Sequence, residues 1–205
     1  FYATTSEAYV ERMRKIKAGE EPFIPEYSED DEPPFLDEYL EAHESLQVLG
    51  GTCVSMLVAT LHLYFKAWER QSGVPVDSSL KPAFKDGWLH GYMAYFERHT
   101  PVRFKDAPSN LALLEELVLA RNRIQHPDSI TVIGSHYSDD DLRKLPRPFF
   151  IDEHDLALLS DAEELERGWL VSPAIYVSSE KLLAAIAEVE CFAGWLETVE
   201  IETDV

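Results

Sequence analysis

The chain is short of cysteine, of positive charge and of every glycine-rich phosphate motif, and each shortage excludes a class of protein. Cys53 and Cys191 are the two cysteines among 205 residues, each alone in an apolar helical run, with no CxxC pair. That argues against a disulfide scaffold or a cysteine metal site. Both thiols are expected as small core residues in a reducing compartment, with the cytoplasm as the default location. Lys and Arg number 18 against 38 Asp and Glu, a formal net charge of −20, so indiscriminate binding to nucleic acid is disfavoured. Neither GxxxxGK[ST] nor GxGxxG occurs, which excludes nucleotide hydrolysis on a phosphate loop. HExxH is absent too. His43, His62, His90, His99, His136 and His154 show no metal-ligand spacing, and Asp139-Asp140-Asp141 and Asp152-Glu153 read as solvated acids. No metal and no cofactor are expected.

Two further segments are missing. The opening FYATTSEAYVERMRKIK is amphipathic and charged and lacks the basic tip and apolar run of a signal peptide. A chain that begins at Phe1 rather than Met is expected to be a trimmed form of a longer one. The run SLQVLGGTCVSMLVATLHLYF is uncharged and long enough to span a bilayer. Gln47, Thr52, Ser55, Thr60, His62, the paired glycines and the lack of a basic N-terminal flank argue instead for a central helix buried on nearly all sides, with no membrane partner.

What is present is ample core material, 45% hydrophobic residues and 11% aromatics. The fold class expected is mainly α, a helical bundle with a small β-hairpin or sheet insertion before the last helix. Residues 1–34 read as an N-terminal helix (about 5–18, stopped by Gly19) followed by an acidic, proline-broken linker; EEPFIPEYSEDDEPP carries four prolines and seven acids. Residues 35–199 form the helical domain and 200–205 a fraying tail. Within it, Phe35 to Gln71 is helical with a possible interruption at Gly50-Gly51. Asp77 and Ser78 are cap candidates, and 80–99 is a helix with a core stripe of Phe84, Trp88, Tyr92, Tyr95 and Phe96. Asn110 is the N-cap of the next helix, LALLEELVLARNRIQH, which Pro127 closes. The insertion, about 130–178, holds the β-prone stretches 130–137, 148–159 and 169–179. A last helix follows at 179–199, burying Leu182, Ile186, Val189, Phe192, Ala193 and Leu196.

Charge is unevenly spread: residues 1–50 carry a net −9, residues 128–205 a net −13, and residues 51–127 a net +2. At the end of that middle segment stands Arg121-Asn122-Arg123-Ile124-Gln125-His126. Leu111, Leu114, Leu117, Val118 and Ile124 direct one helix face to the core, which leaves Arg121, Asn122 and Gln125 near the rim. Asn122 and His126 are neighbours at i,i+4. His126 precedes a proline, so its ring is expected off the helical track at the C-terminal cap. A guanidinium binds a phosphate on two oxygens, and an imidazole takes or gives a proton near neutral pH. RNA supplies its own nucleophile in the 2′-hydroxyl, so proton transfer and charge stabilisation at phosphorus are what a protein must add. The plainer reading of the same residues is structural: Arg121 paired with Glu115 or Glu116, Asn122 capping, His126 on a terminal carbonyl.

The phrase ARNRIQHP resembles the R-x4–6-H signature of the HEPN superfamily, here in its x4 form with asparagine after the arginine, as in abortive-infection-like bacterial members. The likeness in layout spans about residues 35–127 and 179–199; only the six-residue phrase carries it in sequence. The resemblance implies a metal-independent endoribonuclease, a toxin or phage-defence or stress effector, working as a homodimer in which two motifs meet across a cleft. It implies Arg121 and His126 as catalytic residues, with Asn122 orienting the histidine or touching phosphate. Arg123, Arg98, Arg103 and Lys105 are the expected RNA-binding cations, and an antitoxin or regulatory protein is an expected partner. The alternative is a non-catalytic helical module that binds a protein partner, which the acidic ends of the chain would suit.

Overall fold

The computed structural model describes residues 1–25, 32–126, 134–153, 155–157 and 173–198. The fold is mainly helical. Its helices are α1 (Tyr2–Ala18), α2 (Leu36–Ser72), α3 (Lys81–Lys85), α4 (Trp88–His99), α5 (Leu111–Gln125), α6 (Asp139–Lys144) and α7 (Ser179–Glu197), with 3-10 turns at Ser78–Leu80 and Phe104–Asp106. The expected linker residues 26–31, the position of Pro127 and the tail 200–205 lie outside the described residues.

Helix boundaries follow local chemistry. Gly19 ends α1 in the left-handed conformation, φ 62°, and donates to the Ile16 carbonyl. Asn110 and Ser178 cap α5 and α7 by accepting from the N–H groups of Leu113 and Lys181. Asp77 caps the first 3-10 turn. The expected single helix over 80–99 is instead broken, because Gly87 adopts φ 129°, a value side-chain-bearing residues avoid. The break folds Phe84 back over Gly91, where an added Cβ would stand 2.3 Å from the ring.

α2 runs unbroken through Gly50-Gly51, and the absent side chains let neighbours approach closely. A Cβ on Gly50 would lie 2.8 Å from Val177 Cβ, and one on Gly51 would lie 3.4 Å from Ile124. Farther along, Phe65 stacks on Tyr92 and Phe96 with centroids 5.4 and 5.6 Å apart and meets Phe192 at 5.8 Å. This aromatic cluster joins α2, α4 and α7 as the main core.

The expectation that α2 is buried on nearly all sides is corrected. Val48, Met56 and Leu63 are 70%, 65% and 65% exposed, and with Thr52, Ala59 and Thr60 they form an uncharged stripe. The Thr52 and Thr60 hydroxyls donate to the Val48 and Met56 carbonyls, so the stripe offers solvent mostly hydrocarbon. α2 is long and apolar enough to cross a membrane by length and composition, with 33% of its most apolar window buried. α1 packs on its first half, tied by Arg12 to Glu41 at 2.9 Å. Of the two cysteines, Cys53 is half-buried and Cys191 is exposed rather than in the core.

The expected β insertion is also corrected where it is described. Between Ser135 and Ile175 there is one antiparallel bridge, His136 to Ala174, and no strand occurs among the described residues. Residues 153 and 155–157 are helical; residues 130–133 and 158–172 lie outside the description. Ile175, Tyr137 and Tyr176 donate main-chain N–H bonds to the carbonyls of Ser135, Pro173 and Phe150, too few for a strand, and a side chain takes the next donors. Glu116 Oε1 accepts from the main-chain N–H groups of Phe149 (2.5 Å) and Phe150 (3.0 Å) and from the Tyr137 hydroxyl (3.1 Å).

Candidate functional site

α5 buries Leu113, Leu114, Leu117 and Ala120 and carries the Arg-Asn-Arg phrase in its last turn. His126 forms the C-cap at φ −131°, off the helical track as expected, with its N–H on the Asn122 carbonyl at 2.9 Å and its side chain exposed. Arg121 is half-buried and donates through Nη1 to Asn122 Oδ1 at 2.9 Å; its Nε is buried without a partner among the described residues. Asn122 therefore holds the arginine through its side chain and reaches His126 through its main chain. The alternative acidic partners of Arg121 are engaged elsewhere: Glu115 lies 3.1 Å from His90 Nε2, and Glu116 is buried beneath Tyr137.

One neighbour has no signal in the local sequence. His62 of α2 stacks on Trp88 at 4.5 Å. Burial lowers its pKa below the ordinary histidine range, and the nearby charges of Lys66 and Arg121 act in the same direction. It is half-buried, within electrostatic reach of the arginine.

The other expected cations do not converge on this site. Arg123 points inward: its Nε donates to Asp141 Oδ2 at 2.8 Å and its Nη2 to Ser138 Oγ at 2.9 Å. Arg98 is held by Ser79 and Asp77, and Arg103 donates to the Val102 and Glu97 carbonyls. Lys105, in the second 3-10 turn, is exposed. These last three belong to the end of the bundle where Trp68 meets Phe96 and Phe104 meets Phe192, whereas Ile124 packs on Gly51. Gly51 and Trp68 are about 25 Å apart along α2 at 1.5 Å per residue.

The Arg123–Asp141 pair locks the end of α5 to a capping box at the start of α6, in which Ser138 and Asp141 satisfy each other's N–H groups. Burial would raise the Asp141 carboxyl, but hydrogen bonds from Arg123 and from the Ser138 N–H and hydroxyl outweigh it and hold the pKa below the usual range. A carboxyl depressed on folding contributes stability above its unfolded pKa, about 3.9, and loses it as pH falls through the folded value. Asp141→Asn is accordingly expected to cost about 2 kcal/mol at neutral pH, with the gap to wild type narrowing at acid pH as the folded carboxyl protonates. Denaturant titrations at the two pH values check this; an equal gap at both would be the wrong result.

Among the described residues, no three His, Cys, Asp or Glu side chains converge as a metal-ligand set. Compared with models of protein families, with curated proteins and with solved structures, the chain matches none.

Proposed function

We propose that this chain is a metal-independent endoribonuclease of HEPN type, a cytoplasmic toxin or phage-defence or stress effector that cleaves RNA through attack of the 2′-hydroxyl. The observation that carries this reading is an exposed imidazole at the C-cap of α5, one turn beyond a guanidinium oriented by its neighbouring asparagine. In the proposed step the 2′-oxygen bonds to phosphorus, the 5′-oxygen leaves, and a 2′,3′-cyclic phosphate remains. His126 takes the 2′-hydroxyl proton, a second copy's imidazole or water gives a proton to the departing 5′-oxygen, and Arg121 stabilises charge on the non-bridging oxygens. Asn122 fixes the fork of donors so that less ordering is needed on binding.

One chain exposes one imidazole at the end of α5, His126, while His62 near Arg121 is half-buried against Trp88. The reading therefore includes a homodimer, for which the uncharged stripe Val48–Met56–Leu63 is the surface available for covering. The experiment is incubation of purified chain with RNA in the presence and absence of chelator. Fragments ending in 2′,3′-cyclic phosphate, at equal rates in both, are expected. A specific observation favours a second reading, a non-catalytic module that binds a regulatory protein: Arg123, Arg98 and Arg103 are all engaged internally and leave few cations for a polyanion. Absence of cleavage across varied RNAs would select it.

A further inference from the structure

Beside the N-terminal half of α5 lies a cleft of about 510 Å³ whose lining includes none of Arg121, Asn122 and His126. That volume falls in the range of small-molecule sites. Leu113, Phe149 and Ile151 give it apolar walls, and Glu116, Lys181, Arg147 and the exposed Glu153 are its ionisable members. Glu116 and Lys181 are arranged differently from ordinary surface charges.

Glu116 is 5% exposed. Its Oε1 takes all three of its donors, from Tyr137, Phe149 and Phe150, and Oε2 has no partner among the described residues. Lys181 is half-buried; its Nζ donates to the Ile151 carbonyl and stands 6.0 Å over the Phe149 ring, and an ammonium has two more protons to give. Arg147 is exposed and enters no ion pair among the described residues.

We propose that this cleft binds a small amphipathic zwitterion, of which a free amino acid with an apolar side chain is the simplest example. Lys181 and Arg147 would receive its carboxylate, Glu116 Oε2 its ammonium, and the apolar walls its side chain. The mixed charge selects the class. A simple anion would meet the Glu116 and Glu153 carboxylates with no donor to offer them, and a simple cation would meet two positive groups. Glu116 and Lys181 are also displaced as functional ionisable groups often are. Burial raises the Glu116 carboxyl against the pull of Phe150, Tyr137 and Phe149. Burial also lowers the Lys181 ammonium, against the pull of Asp152, Glu116, Glu153 and Glu180.

The inference shares no residue with Arg121, Asn122 or His126 and stands whether or not the chain cleaves RNA. It is tested on the full chain by titration calorimetry with L-leucine, N-acetyl-leucine and leucinamide. Saturable binding of leucine is expected, weakened about tenfold by blocking either of its charged ends. Arg147→Ala, at an exposed position, is expected to weaken leucine binding by about the same factor and to melt like wild type; Lys181→Met supplies a second variant. No saturation by leucine up to about 10 mM, or affinity unchanged by acetylation, amidation and both substitutions, overturns the assignment.

Discussion

Replacing His126 by alanine is expected to slow RNA cleavage by about 10²–10⁴-fold, the range for loss of a positioned proton donor or acceptor. The melting temperature should stay near wild type, because the side chain is exposed at the end of α5 and its N–H bond to Asn122 involves main chain only. Arg121→Ala is expected to have an effect of similar size. Arg121→Lys should recover only part of the rate, because an ammonium keeps the charge without the planar fork. Asn122→Ala frees the guanidinium that its side chain holds at 2.9 Å and should cost about tenfold, a positioning effect. Single-turnover cleavage of a defined RNA, paired with thermal melts, separates chemistry from folding. Wild-type rates in both alanine variants would end the nuclease reading.

Glu116→Ala carries the largest expected effect on stability, about 3–5 kcal/mol and a fall in melting temperature of about 10 °C. The carboxylate is the shared acceptor of two main-chain N–H groups and the Tyr137 hydroxyl, and truncation strands all three in the interior. Glu116→Gln keeps an acceptor at Oε1 and should lie within about 1 kcal/mol of wild type. The pH dependence separates charge from hydrogen bonding. Because burial raises this carboxyl on folding, wild type gains from protonation as pH falls toward the unfolded value of about 4.3 and loses that gain as pH rises through the folded value. Measured against the glutamine variant, wild type should therefore be relatively more stable at pH 4 than at pH 7, the opposite sense to Asp141. If alanine and glutamine cost the same at neutral pH, the acceptor role assigned to Oε1 is wrong.

These two sites differ in how far they were legible. The Arg121–His126 phrase is contiguous, and its placement at the rim of a helix end follows from the apolar spacing before it. Glu116 stands one turn earlier in the same helix and carries no local mark of its role. Its donors are residues 137, 149 and 150, and nothing in the intervening sequence announces the meeting.

Taken alone, the residues determined the mainly helical class, the glycine stop after α1, the Asp77 and Asn110 caps, the aromatic stripe of Tyr92, Tyr95 and Phe96, and the off-track position of His126. All of these depend on backbone groups within about four positions of one another, so the information is local. Tertiary structure decided the rest. It left one face of α2 uncovered, turned Arg123 inward onto Asp141, carried Arg98 and Arg103 to the far end of the bundle, and put a glutamate where a β-ladder was expected. The reason is that composition names a charge or an apolar surface but not its partner. Partners are chosen when elements remote in the chain pack, and each buried donor must then find whichever acceptor the packing has brought within reach.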